Sequence, residues 1–306
     1  MKSLKKCNIP LLIAAALALV LFLVGSFYDK SISETFWNKY QLDIPWFTII
    51  ITLLGPLVTN AFGAFAGWSL FFVKTNFNKK LANFFKFIGI FGLLGIAFFA
   101  YTSGTEFAEV IPHIEDRVEA GLKLLIFLLV TGTDVAMFFI VHKIYKKIDQ
   151  RNLFWSVLTM LAIIVLIACA NEVIKYLASR PRPRIVFPGE ETYREWWQWK
   201  PFYGFKVSES KSFISGHSSN AASVTILFVL TMSLTKFSEK KHSTLICFII
   251  AALYAFVVAL SRIFAIAHYM TDISGGMLFS FVLSMVICRL MLLIQKKVED
   301  KASTSN

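Results

Sequence analysis

Charge is what this chain carries least of. Of its 306 residues, 16% are Asp, Glu, Lys or Arg and 57% are hydrophobic. Ordinary soluble domains carry about 25% charged residues, so a water-soluble globular fold is excluded. Cysteine is also sparse. The four, Cys7, Cys169, Cys247 and Cys288, form no CxxC pair and lie in or beside apolar segments. They read as small apolar packing residues and say nothing of redox compartment. Acidic residues are outnumbered 19 to 31 by Lys and Arg, for a net charge of +12. Such a surplus can mark nucleic-acid binding, but basic residues beside spanning segments follow from topology alone. No nucleic-acid partner is implied. Internal repeats and low-complexity linkers are absent too.

Long apolar runs are what the chain has instead, at a mean hydropathy of +0.65. Each is long enough to cross a bilayer as a helix. The fold class expected is all-α: a polytopic membrane bundle of about eight spanning helices, over roughly 9–28, 46–73, 81–102, 121–142, 153–178, 218–236, 243–262 and 270–295. The first run follows Lys2, Lys5 and Lys6. It is longer than the ~7–15-residue apolar region of a signal peptide and reads as a retained helix.

The connections alternate in charge. Lys74, Lys79 and Lys80, then Lys143, Lys146, Lys147 and Arg151, then Lys236, Lys240 and Lys241, and finally Lys296, Lys297 and Lys301 mark one side. Asp29, Glu34 and Asp43, and later Glu106, Glu109, Glu115, Asp116 and Glu119, mark the other. The positive-inside rule places both termini in the cytoplasm of a multi-pass cell (inner) membrane protein. The loop from about 179 to 217 and the turn after Arg262 then face the non-cytoplasmic side. That loop is itself rich in Arg and Lys, a local exception expected where cations bind substrate. The residues after 295, ending KASTSN, read as a cytoplasmic tail.

Three short runs break the apolar pattern: KYLASRPRP at 175–183, SGH at 215–217 and SRIFAIAHYMTD at 261–272. His268 and Asp272 are four residues apart where the last helix begins, so they share a face. A carboxylate beside an imidazole fixes its tautomer and leaves the other nitrogen free to attack. His217 follows Ser215 and Gly216 at a helix start, where backbone N–H groups and the helix dipole favour an anion. Lys175, Arg182 and Arg262 stand at helix ends, where charge is costly unless paired or functional. Together they can offset a phosphate dianion and its transition state. The same cations would repel a divalent ion held by the two histidines and Asp272, so an anion site is preferred to a metal site.

These runs resemble the pattern KxxxxxxRP, PSGH and SRxxxxxHxxxD of the type 2 phosphatidic acid phosphatase family. Lys175, Arg182 and Pro183 match the first element. Ser215, Gly216 and His217 match the second, with Ile214 in place of its proline. Ser261, Arg262, His268 and Asp272 match the third at every fixed position. Proline presets φ, so Ile214 would loosen that turn without removing a catalytic atom. The motif-bearing part covers 175–272. The family's six-helix phosphatase core would correspond to 81–295, leaving 1–80 as an additional N-terminal helix pair and 296–306 as the tail.

The resemblance implies an integral membrane phosphatase that removes a terminal phosphate from a lipid phosphate or polyprenyl pyrophosphate, with no metal and no cofactor. It implies His268 as the nucleophile that becomes phosphohistidine, Asp272 as its orienting partner and His217 as the general acid. Lys175, Arg182, Arg262, Ser215 and Gly216 would form the phosphate cradle. A lipid phosphotransferase with the same site and a non-enzymatic lipid-phosphate carrier are the alternatives. Vanadate-holding haloperoxidases share the pattern but are soluble, which the spanning helices oppose.

Other polar residues weigh less. His142 and His242 fall on the cytoplasmic side, and His113 lies in an acidic loop. Glu172, one turn before Lys175, is expected to pair with it. Asp134 is expected within the membrane with no assigned partner. The run EWWQWKPFY at 195–203 suits the membrane–water boundary, as an anchor or as a rim that guides a lipid headgroup.

Overall fold

The computed structural model describes residues 2–41, 44–73, 83–84, 86–87, 116–201, 208–234 and 242–304. Among them the chain is all α-helical apart from turns. Seven long helices are α1 (Lys2–Tyr40), α2 (Trp46–Phe72), α3 (Asp116–Ile144), α4 (Gln150–Ala178), α5 (Gly216–Ser233), α6 (Ser243–Phe264) and α7 (Met270–Thr304). Most of the span expected at 81–102 lies outside the described residues. So do Asp43, Glu106, Glu109, Glu115 and His113, and Lys74, Lys79, Lys80, Lys236, Lys240 and Lys241.

Six of the described helices are long and apolar enough to cross a membrane, α5 being the exception. Its first turns, Gly216 to Asn220, are polar, and it needs no lipid. It packs against α1, α2, α4, α6 and α7, and Ala222, Ile226, Leu227, Val229 and Leu230 are buried to 1% exposure or less. The hydroxyls of Thr225 and Thr231 are spent on carbonyls of the same helix, Ala222 and Leu227, so they cost little in an apolar surround. The other helices do meet lipid. Along α1, Leu11, Ala15 and Ala18 are buried while Ile9, Leu12, Ile13, Leu17 and Val20 are exposed. That outward apolar face is what a bilayer solvates.

Two boundaries differ from expectation. The first helix does not stop at Tyr28. It continues to Tyr40, so Asp29 and Glu34 stand on a helix rather than in a connection. The last helix runs through Thr304, so most of the residues read as a tail are helical. Elsewhere the ends follow local chemistry. Asp149 caps α4, its carboxylate accepting from Arg151 N at 3.3 Å. Ser179, at φ 42°, ends α4 in the left-handed conformation, and two prolines prevent its resumption. A single helical turn, Pro183–Val186, follows. The link from α6 to α7 is tight: Ala267 N donates to Arg262 O at 3.1 Å and Ile266 N to Ile263 O at 2.9 Å. That turn delivers His268 beside the end of α6.

Candidate functional site

The C-terminal ends of α4 and α6 and the N-terminal ends of α5 and α7 meet at one end of the bundle. Ser215 N donates to Asp272 O at 3.0 Å, tying the segment before α5 to the first turn of α7. The contact is close because Gly276 has no side chain. A Cβ there would lie 2.7 Å from Ser215 O, nearer than real contacts allow. Ser215 caps α5, its hydroxyl accepting from Ser218 Oγ at 3.0 Å and facing Ser218 N at 3.4 Å. Gly216 lets Lys175 approach: a Cβ on it would stand 3.2 Å from Lys175 Nζ. Lys175 also pairs with Glu172 at 2.9 Å, as expected one turn apart. His217, half-buried, occupies the first turn of α5.

His268 is 3% exposed. Its Nδ1 lies 2.8 Å from the carbonyl oxygen of Ser212. A carbonyl oxygen only accepts, so Nδ1 carries the proton and Nε2 keeps its lone pair. The nearest oxygen of Asp272 is 3.7 Å from Nδ1, beyond hydrogen-bonding reach. The tautomer is therefore set by Ser212 rather than by direct contact with Asp272, which acts on the ring by charge. Asp272 Oδ2 accepts instead from Ser212 Oγ and, at 2.9 Å, from Tyr269 N. Burial pushes the His268 pKa down to about 3. The Asp272 carboxylate opposes the shift, and the Arg182 and Arg262 guanidiniums add to it. The imidazole is neutral at any ordinary pH, with two guanidiniums close enough to act on it.

Each cation is seated by a partner the sequence motifs do not include. Arg262 is 1% exposed and donates from Nη1 to Thr52 Oγ1 on α2 at 2.8 Å. Arg182 N donates to Glu209 O at 2.9 Å. Glu209 in turn grips Arg184 through both oxygens, at 2.7 and 2.6 Å. The proline-punctuated turn is thus clamped to the short helix Ser208–Ser210 just before the SGH segment. Ile214, where the resemblance has proline, is buried beside Ala178 and Phe213, with Phe22, Ile174, Trp196 and Phe279 around them.

Arg180, two residues before Arg182, is 2% exposed. Its Nη1 donates to Asp272 Oδ1 and Thr271 Oγ1, both at 2.8 Å. Its Nη2 donates to Asp29 Oδ2 on α1 at 3.0 Å, and Nε to Arg194 O at 2.8 Å. The guanidinium lies 4.0 Å from the centre of the Tyr269 ring, a cation–π geometry. Burial holds the Tyr269 and Tyr193 phenols above their usual range, although Arg180 pulls the other way, so both stay protonated. Asp29, Thr52, Arg180, Ser212 and Thr271 escape a motif reading. Only Arg180 leaves a sequence signal, as the first arginine of the RPRP run.

The remaining candidates fall elsewhere. His142 packs among Phe72, Phe138 and Tyr145, and His242 precedes α6. The Asp134 main-chain oxygen accepts from the Trp68 indole at 3.0 Å. Trp196 packs edge-on against Phe22 and donates to Ser26 Oγ at 3.0 Å, while Trp197 and Trp199 are 52% and 46% exposed. The aromatic run therefore both anchors to α1 and offers an open rim. Among the described residues no group of three or more His, Cys, Asp or Glu side chains is arranged to hold a metal ion.

A neutral imidazole near two buried guanidiniums stands at the joined ends of helices, six of which are long and apolar enough to cross a membrane. Residues 153–296 match the family model of the PAP2 superfamily. The match implies phosphatase or phosphotransferase chemistry on phosphate esters. No curated protein and no solved structure matches the chain.

Proposed function

We propose that the protein is an integral membrane phosphatase that removes the terminal phosphate of a lipid phosphate or polyprenyl pyrophosphate. The observation that carries this reading is the Nδ1–H donation from His268 to Ser212 O at 2.8 Å, which leaves the Nε2 lone pair for phosphorus. Nε2 attacks, the P–O bond to the lipid breaks, and His217 gives its proton to the departing oxygen. Water then attacks the phosphohistidine with His217 as base, releasing inorganic phosphate and restoring both rings. Lys175, Arg182 and Arg262, with the backbone at Ser215 and Gly216, hold the phosphoryl oxygens as charge moves in the transition state. Asp272 offsets the positive charge that develops on His268.

The Lys and Arg bias supports both termini in the cytoplasm and the site on the non-cytoplasmic face. The exposed Trp197 and Trp199 suit a headgroup rim at that surface. The test is phosphate release in detergent from phosphatidic acid, phosphatidylglycerophosphate, undecaprenyl pyrophosphate and a lipid A phosphate, with and without chelator. Release from at least one lipid, unchanged by chelator and abolished in His268→Ala at normal protein level and membrane insertion, is expected. Substantial release by His268→Ala would remove the nucleophile. Transfer to an acceptor lipid with little free phosphate would favour the phosphotransferase, and loss on chelation would require a metal.

A further inference from the structure

The geometry points to Asp29, on the first helix, as a positioning residue for the His268–Asp272 pair. The inference rests on the catalytic reading above. Asp29 lies outside all three motifs and outside the matched region 153–296. Nevertheless its carboxylate, 2% exposed, is spent entirely on the site's supports. Oδ1 accepts from Thr271 N at 2.9 Å, at the very start of α7. Oδ2 accepts from Thr271 Oγ1 and, at 3.0 Å, from Arg180 Nη2. Gly25, one turn earlier on α1, makes room: a Cβ there would stand 3.0 Å from both Thr271 N and Thr271 Cγ2.

Two consequences follow. First, Asp29 caps the helix whose opening turn carries Asp272 and adjoins His268, fixing where that turn sits. Second, one guanidinium is shared by two buried carboxylates, Asp29 at 3.0 Å and Asp272 at 2.8 Å. Asp29 thereby holds Arg180 at a compromise position. With Asp29 neutral, Arg180 would be matched to Asp272 alone and would cancel more of the negative potential that Asp272 exerts on His268. The ring would become a poorer nucleophile and its cationic product less stable. Phosphoryl transfer should slow while binding to Lys175, Arg182 and Arg262 persists.

The experiment measures kcat, KM and melting temperature for wild type, Asp29→Asn, Asp272→Asn, the double variant and His268→Ala. The substrate is the lipid of the panel that wild type turns over fastest. Asp29→Asn should lower kcat about 10- to 100-fold, the range typical of residues that orient a catalytic ligand, with KM changed less than about threefold. In the Asp272→Asn background the same substitution should add no more than about twofold, because the two act through one path. Wild-type kcat in Asp29→Asn, or an equal loss in both backgrounds, would overturn the inference. If Asp29→Asn does not accumulate in the membrane, the near-isosteric Thr271→Val deletes the hydroxyl shared by Asp29 and Arg180. An unchanged kcat there would overturn it as well. An active His268→Ala, or a wild type that releases phosphate from no lipid of the panel, would instead fell the catalytic reading and this inference with it.

Discussion

His268 is neutral for a reason that can be measured apart from catalysis. Its surroundings strip water from the ring and set two guanidiniums near it, lowering its pKa from 6.5 to about 3. Between those values an unfolded chain takes up this proton and the folded chain does not. Stability therefore rises with pH across the window and is lost as pH falls below 6.5. The melting temperature of wild type should drop on acidification from about pH 6.5 to pH 4, and His268→Gln should show a shallower slope by about one proton. Equal slopes would mean that the ring is solvated. The sequence motifs single out His268, Asp272, His217 and the three cations, the His268–Asp272 pair through its one-turn helical spacing. Ser212 was not legible. A serine carbonyl that fixes a tautomer leaves no mark on residue type, since any residue could supply it.

At the level of elements, the close approach of α5 and α7 builds the site. Ser215 O fills the space a side chain at Gly276 would need. Gly276→Ala must push the SGH segment away from Asp272, because the opposing atom is backbone and cannot rotate aside. Phosphate release should fall by at least about tenfold, with the protein still inserted in the membrane. Activity within twofold of wild type would show that the cradle tolerates the shift. Most helix boundaries were readable to within a few residues from apolar runs. The end of α1 was not: SISETFWNKY looks like a polar connection until Asp29 is seen to find Arg180, 151 positions away. The α5 run was legible as a helix but not as a sheltered one: its start is polar, and the neighbouring helices rather than lipid surround most of it.

For the whole molecule, the site end of the bundle must face away from the cytoplasm if the lysine-rich connections face in. Glu190 is exposed on the loop between α4 and α5. In a background with the native cysteines replaced, Glu190→Cys should react with a membrane-impermeant maleimide in intact cells. Labelling only after lysis would invert the topology. The additional helix pair also acquires a place. Asp29 on α1 bonds Arg180, which holds Asp272, and Thr52 on α2 bonds Arg262, whose charge acts on His268, so the first two helices support this end of the bundle. No composition or spacing argument could have joined them to it, because the contacts exist only between distant segments.

The central proposal is a covalent bond between phosphorus and Nε2 of His268. The most direct measurement is rapid quenching of the enzyme with a lipid substrate labelled in its terminal phosphate, followed by base-stable digestion and mapping. An acid-labile, base-stable label on the peptide containing His268, absent in His268→Ala, is expected. Turnover without any such label, or a label carried by another residue, would contradict a histidine nucleophile at this position.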